Sequence, residues 1–132
     1  MGESTTNEAQ IRTIIDSWAQ AVRAQDFDRV LRDHSDDILL FDVPLPVQSR
    51  GIAAYRESWE LFFRSVPKPV VFDLSELTIT AGNDVAFAHG LIHCRTEDGN
   101  QPADLEIRLT VCLRKIDGRW TIVHEHHSEA AS

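Results

Sequence analysis

Much that would mark a chain as something other than one ordinary folded domain is scarce in this sequence. Among its 132 residues are two cysteines, six glycines, five prolines and one tyrosine. Cys94 and Cys112 stand apart from any C-x-x-C or Cys/His cluster, which argues against zinc or thiol redox work and leaves two buried, reduced thiols as the expectation. No segment approaches the roughly 18 successive apolar residues of a membrane span. The opening MGESTTNEAQ has neither the basic start nor the apolar stretch of a secretory signal, so a cytoplasmic protein without membrane contact is expected. Basic charge is also short. Thirteen Lys and Arg face 21 Asp and Glu, a formal net charge of −8, and the longest basic run is Arg114-Lys115. Such a field repels phosphate backbones, and nucleic acid is not an expected partner. Neither G-x-S-x-G nor a glycine-rich phosphate loop occurs, and no repeat or low-complexity tract interrupts the chain. One continuous domain over 1–132, with no cofactor, is the reading.

The residues that are present order themselves into helices first and strands after. Thr5-x-x-Glu8 reads as a capping box, and Ile11, Ile14, Ile15, Trp18 and Val22 then recur at helical spacing, predicting a helix over 7–24. Asp26 can cap a short second helix carrying Phe27, Val30, Leu31 and His34, ended by a Ser35-Asp36-Asp37 turn. The run 38–43 reads as a strand closed by Pro44 and Pro46, with a loop on to Gly51. Ile52, Tyr55, Trp59, Phe62, Phe63 and Val66 mark a third amphipathic helix, stopped by Pro67 and Pro69. Four strands then follow over 70–80, 85–96, 103–116 and 119–128, with turns at Ala81-Gly82-Asn83-Asp84, Asp98-Gly99-Asn100 and Asp117-Gly118. Three helices followed by an antiparallel meander make an α+β fold. A strongly curved sheet of this kind leaves a cone beneath the helices, a natural place for an apolar ligand.

Asp42 and the histidines are the residues with chemistry to offer. Asp42 interrupts an apolar run just before Pro44, so it is either a turn-forming Asp or a carboxylate held in the cone, where desolvation would raise its pKa toward a general base. Five of the six histidines fall on the strands, at His89, His93, His124, His126 and His127. Each alone reads as a half-buried strand residue. Together with Glu125 they offer an imidazole against a carboxylate, the arrangement that fixes a tautomer for acid–base work. His124-x-His126 puts two rings on one strand face, but no third ligand stands at a diagnostic spacing, and no metal is expected. Trp18, Tyr55, Trp59, Phe62 and Phe63 are core candidates first. Trp18, Tyr55, Trp59 and Phe63 are also candidate walls for a ring-containing ligand.

Three stretches carry a resemblance. They are Ala24-Gln25-Asp26-Phe27-Asp28; Asp36-Asp37 through Phe41-Asp42 with Arg50-Gly51-Ile52-Ala53-Ala54; and the run DGRWTIVHEHHS at 117–128. The first two resemble bacterial ketosteroid isomerase, and the last is similar to SnoaL-like proteins and to the association domain of calmodulin-dependent kinase. The chain thus resembles the NTF2-like superfamily. That implies a cone of three N-terminal helices packed on a strongly curved antiparallel β-sheet. It also places Asp42 where the isomerase has its general base, Trp18 where it has a tyrosine oxyanion donor, and Val111 (or Cys112, one residue on) where it has a protonated aspartic acid. Both oxyanion donors are therefore replaced. Losing one such donor typically costs on the order of 10² to 10³ in rate, so a true steroid isomerase is not expected.

By the same resemblance Leu105, Ile107, Leu109, Val111 and Leu113 line the concave face, joined by His89, His93, Val123, Glu125 and His127. Trp120, Ile122, His124, His126 and Ser128 would then face outward, where family members often pair sheets, and a homodimer through that face is expected. The functional expectation is a pocket for a small apolar oxygenated molecule. Asp42 would act as base with His89, His93 or His127 as partner, in isomerisation, cyclisation or dehydration, and Trp18, Tyr55, Trp59, Phe63, Val111 and Glu125 would contact the ligand. The alternative is a non-catalytic ligand-binding or oligomerisation module.

Overall fold

The structure, a computed structural model, describes residues 2–65, 70–96 and 104–131. Three helices, α1 (Gly2–Ala24), α2 (Phe27–Leu31) and α3 (Ile52–Ser65), accompany six strands: β1 (His34–Phe41), β2 (Ser49–Arg50), β3 (Val70–Ala81), β4 (Val85–Thr96), β5 (Asp104–Ile116) and β6 (Arg119–Ser128). They form one sheet in the order β2-β1-β6-β5-β4-β3. Every pairing is antiparallel except the parallel one between β1 and β6. The expected α+β layout, helices on a mostly antiparallel meander, is what forms. The predicted stops at Pro67 and Pro69 and the turn at Asp98-Gly99-Asn100 lie outside the described residues.

The helical periodicity of α1 holds, since Ile11, Ile15, Trp18 and Val22 are all buried against the sheet. The helix nonetheless starts at Gly2, so Thr5 lies inside it rather than capping it. Its first turns are pinned by tertiary bonds instead. The buried Asn7 amide donates to the Gly82 carbonyl at 3.1 Å and accepts from the Trp120 indole at 3.2 Å. Asp26 does cap α2, its side chain accepting the Arg29 N–H. That helix ends at Leu31, before His34. Asp33 takes a left-handed φ of 62° and its carbonyl accepts the Ile122 N–H at 2.7 Å, drawing the chain onto the sheet so that His34 opens β1. The predicted Ser35-Asp36-Asp37 turn is an irregularity within β1, where the pairing with β6 jumps from His34 to Leu39.

Bulges bend the sheet around the helices. In β3 the register shifts between Ser75 and Thr78, with Glu76 at φ 53°. In β6, Val123 is the extra residue, since Cys112 pairs with His124 but Leu113 with Ile122. The β5–β6 hairpin turns through Asp117 and Gly118, both at positive φ, as that sequence predicted.

The expected phase of β4 is overturned, and that of β6 holds only beyond its bulge. On β4 the face toward the helices carries Ala86, Ala88, Ile92 and Cys94, all buried, while Val85, Phe87 and His89 are exposed. The concave side wraps Trp18, Tyr55 and Trp59, which leaves room there for small side chains and not for a second large layer. On β6 the bulge reverses the alternation. Trp120 and Ile122 are buried inside, and beyond Val123 so are Glu125 and His127. Trp120, expected on an outer interface, is 3% exposed within its own domain, and that ground for a homodimer is withdrawn.

Candidate active site

Four elements and the residue that follows one of them bring their side chains to one place. Trp18 comes from α1, His34 from β1, Asp42 from the residue just past β1, Tyr55 and Trp59 from α3, and Glu125 with His127 from β6. The helical residues arrive by the same spacing that buries the apolar stripe. Asp42 is set at the strand end by the proline-rich segment that stops pairing there, and its Oδ1 accepts the following Val43 N–H at 2.8 Å.

Glu125 is the centre of the buried part. Its Oε2 accepts from the Tyr55 hydroxyl at 2.8 Å and lies 2.7 Å from His34 Nε2, while its Oε1 lies 3.0 Å from His127 Nε2. The Trp18 indole donates to the Tyr55 oxygen at 3.0 Å, and the other ring nitrogen of His34 lies 2.8 Å from the Arg32 carbonyl. Burial works against the Glu125 charge, but the bonds from His127 and His34 outweigh it and hold this carboxyl at about 2. Burial raises the Tyr55 phenol well above 10, and the neighbouring Glu125 charge adds to the effect.

His127 links this interior to an opening. Its Nδ1 stands 3.4 Å from Asp42 Oδ1, so the imidazole lies between two carboxylates. Burial disfavours its charged form, yet Asp42 and Glu125 together push its pKa up to about 9. Trp18 and Trp59 tilt against the ring, with centroids at 6.2 and 6.3 Å. Asp42 is 28% exposed and His127 8%, and both line a cleft with Ser58, Trp59, Phe62, Phe72, Ile92 and Ile107. The cleft has an apolar floor and one polar end. Its volume is about 50 Å³, far below the hundreds of Å³ typical of drug-sized ligand sites, because Trp18, Tyr55 and Trp59 fill most of the cone.

Of the residues predicted for this site, Asp42, His127, Glu125, Trp18, Tyr55 and Trp59 come together. His89 and His93 do not. His89 is exposed on the opposite face of β4, and His93 pairs across the strand ends with Asp104 at 2.6 Å. Phe63 packs on Phe27 and Trp59 at 5.2 and 5.8 Å, and it is Phe62 that reaches the cleft. Val111 is buried on the concave face opposite Glu125, outside the cleft lining. Trp18 has its indole N–H committed to Tyr55. His34 was missed, because a histidine placed on a helix gives no sign that it will meet residues 21 and 91 positions away. Among the described residues no group of three or more His, Cys, Asp or Glu is placed to hold a metal ion, and no helix is long and apolar enough to cross a membrane.

A family model of the SnoaL-like domain matches residues 11–132. The chain belongs to the SnoaL-like family. Solved structures place this SnoaL-like chain in the wider NTF2-like group. An NTF2-like protein of unknown function from Pseudomonas putida is 37% identical, with a TM-score of 0.90 over 99% of this chain and 92% of that one. A protein of unknown function with a cystatin-like fold from Nostoc punctiforme is 14% identical, with a TM-score of 0.83 over 100% and 97%. A ketosteroid isomerase-like protein from Erwinia carotovora is 18% identical, with a TM-score of 0.77 over 94% and 96%. The last two likenesses are of fold alone. None of the curated proteins matches this SnoaL-like chain.

Proposed function

We propose that the cleft catalyses proton transfer on a small apolar carbonyl compound, with Asp42 as base and His127 as acid. The observation that carries this reading is the Asp42–His127 pair, 3.4 Å apart at the polar end of an apolar cleft. A carbonyl oxygen and its neighbouring carbon are about 2.4 Å apart by bond geometry, so such a pair can address both at once. Asp42 takes the proton from the carbon while His127 Nδ1–H gives one to the oxygen, yielding the enol. Asp42 then either returns its proton at another carbon while the enol hydroxyl gives its proton back to His127 Nδ1, which is isomerisation, or passes it to His127 as the enol leaves. In a β-hydroxy substrate the His127 proton instead leaves with the hydroxyl as water, and transfer from Asp42 to His127 restores both groups. Atoms and charges balance in each case without an outside reactant.

The test is deuterium exchange from D₂O into the α-carbons of cyclohexanone and 4-hydroxy-2-butanone, followed by ¹H NMR. Wild type should accelerate exchange over buffer, and Asp42→Asn should abolish the acceleration while the variant stays folded. An Asp42→Asn variant that exchanges as fast as wild type sinks the reading.

The second reading is a non-catalytic binding or assembly module, homodimeric through the outer sheet face. It is favoured by the exposed apolar residues there, Val85 at 58% and Phe87 at 46%.

A further inference from the structure

Glu125 lies 1% exposed beneath the cleft and does not line it, so it cannot touch a substrate. We propose that Glu125, clamped by Tyr55 and His34, is the positioning residue that keeps the proton on His127 and so decides which member of the Asp42–His127 pair is the acid. The inference rests on the reading of Asp42 and His127 just given.

The geometry leaves His127 little choice. A neutral imidazole has one N–H, and the charged ring has two. Here Nε2 faces Glu125 at 3.0 Å and Nδ1 faces Asp42 at 3.4 Å, with the aromatic rings of Trp18 and Trp59 on its sides. Only the doubly protonated ring answers both carboxylates. Glu125 in turn cannot swing away, because Tyr55 and His34 hold its other oxygen at 2.8 and 2.7 Å. The clamp has its own anchors. The other ring nitrogen of His34, Nδ1, lies 2.8 Å from the Arg32 carbonyl, which fixes the ring with its Nε2 turned to Glu125. Tyr55 is held by the Trp18 indole as it donates to Glu125.

The roles then separate. The Nε2 proton stays with buried Glu125 throughout, and the Nδ1 proton, on the cleft side beside Asp42, is the one delivered. Without the Glu125 charge, the ring would answer to Asp42 alone. Neutral His127 and protonated Asp42 would then compete with the working pair, and the acid would be lost at lower pH.

The test is an NMR titration of the full chain labelled with ¹⁵N-histidine, from pH 5 to 10.5. His127 is assigned by its absence from the His127→Gln spectrum. In wild type both ring nitrogens should be protonated at pH 7, with a midpoint at about 9. In Glu125→Gln the midpoint should move to lower pH, to a proton concentration at least roughly tenfold higher, and the alkaline limb of the exchange rate should move to lower pH with it. A midpoint unmoved in Glu125→Gln overturns the proposal, as does a moved midpoint with an unmoved alkaline limb. Should that variant fail to fold, wild type alone decides, since a singly protonated His127 ring at pH 7 refutes the role. The titration needs no substrate. A displaced midpoint together with unimpaired exchange in Asp42→Asn would remove the assignment of Asp42 as base and leave the charge-fixing by Glu125 in place.

Discussion

The buried ion pair should write itself into the stability of the fold as a function of pH. His127 is raised from 6.5 to about 9 in the native state, so the folded chain holds that proton more tightly than the unfolded one. Its contribution is complete below pH 6.5 and is lost as pH rises through about 9. Glu125 is lowered from 4.5 to about 2, so its contribution is complete above 4.5 and is lost as pH falls toward 2. The two groups are ends of one interaction and are counted once. The unfolding free energy should therefore plateau between pH 4.5 and 6.5 and decline on both sides. On the alkaline side the displacement, at about 1.4 kcal/mol per pH unit, corresponds to about 3 kcal/mol. For a chain of this size that is roughly 10 °C in Tm. Urea unfolding followed by circular dichroism at pH 6 and 9.5 measures it. His127→Gln is the reference, since the difference between it and wild type cancels the contributions of all other groups. That variant should be several kcal/mol less stable than wild type at pH 6, because two carboxylates lose their shared partner. The gap should narrow by about 3 kcal/mol at pH 9.5. An equal gap at both values would refute the account of His127 as a charged ring between Asp42 and Glu125.

Two further outcomes are expected. Gly90→Ala should destabilise by about 1–3 kcal/mol in the same urea assay, because a Cβ there would stand 3.1 Å from the Ser75 carbonyl and 3.2 Å from the Leu77 Cα, both backbone atoms of the β3 bulge. Sedimentation should find a homodimer that Phe87→Glu converts to monomer, and a wild-type monomer would remove the outer sheet face as an assembly surface.

Where one physical signal dominated, the sequence was readable. The 3.6-residue recurrence of Ile11, Ile15, Trp18 and Val22 leaves one face for the core, and Asp117-Gly118 supplies the two positive φ values of a tight hairpin. Asp42 stood out because a carboxylate at the end of an apolar strand, stopped by Pro44, has few places to go. The facing of β4 was not readable, since both of its alternating sets are largely apolar. What separates them is size, and size matters only once Trp18, Tyr55 and Trp59 are known to fill the concave side. The position of His34 depended on a left-handed Asp33, which no periodicity announces.

The β6 strand shows why the site itself lay beyond a periodicity argument. Under strict alternation Trp120 and Ile122 share one face, while Glu125 and His127 share the other. Burying the first pair would put the second in water, where Glu125 could hold neither Tyr55 nor His34. The bulge at Val123 removes that conflict by adding one residue between them. The apolar half of the strand can then seal the core against Asn7 of α1 while the acid–base half turns to the cleft. The irregularity and the chemistry are thus coupled. A SnoaL-like relative that keeps a Trp and a Glu five positions apart on this strand, both facing in, requires an odd residue between them, and one that spaces them by four does not.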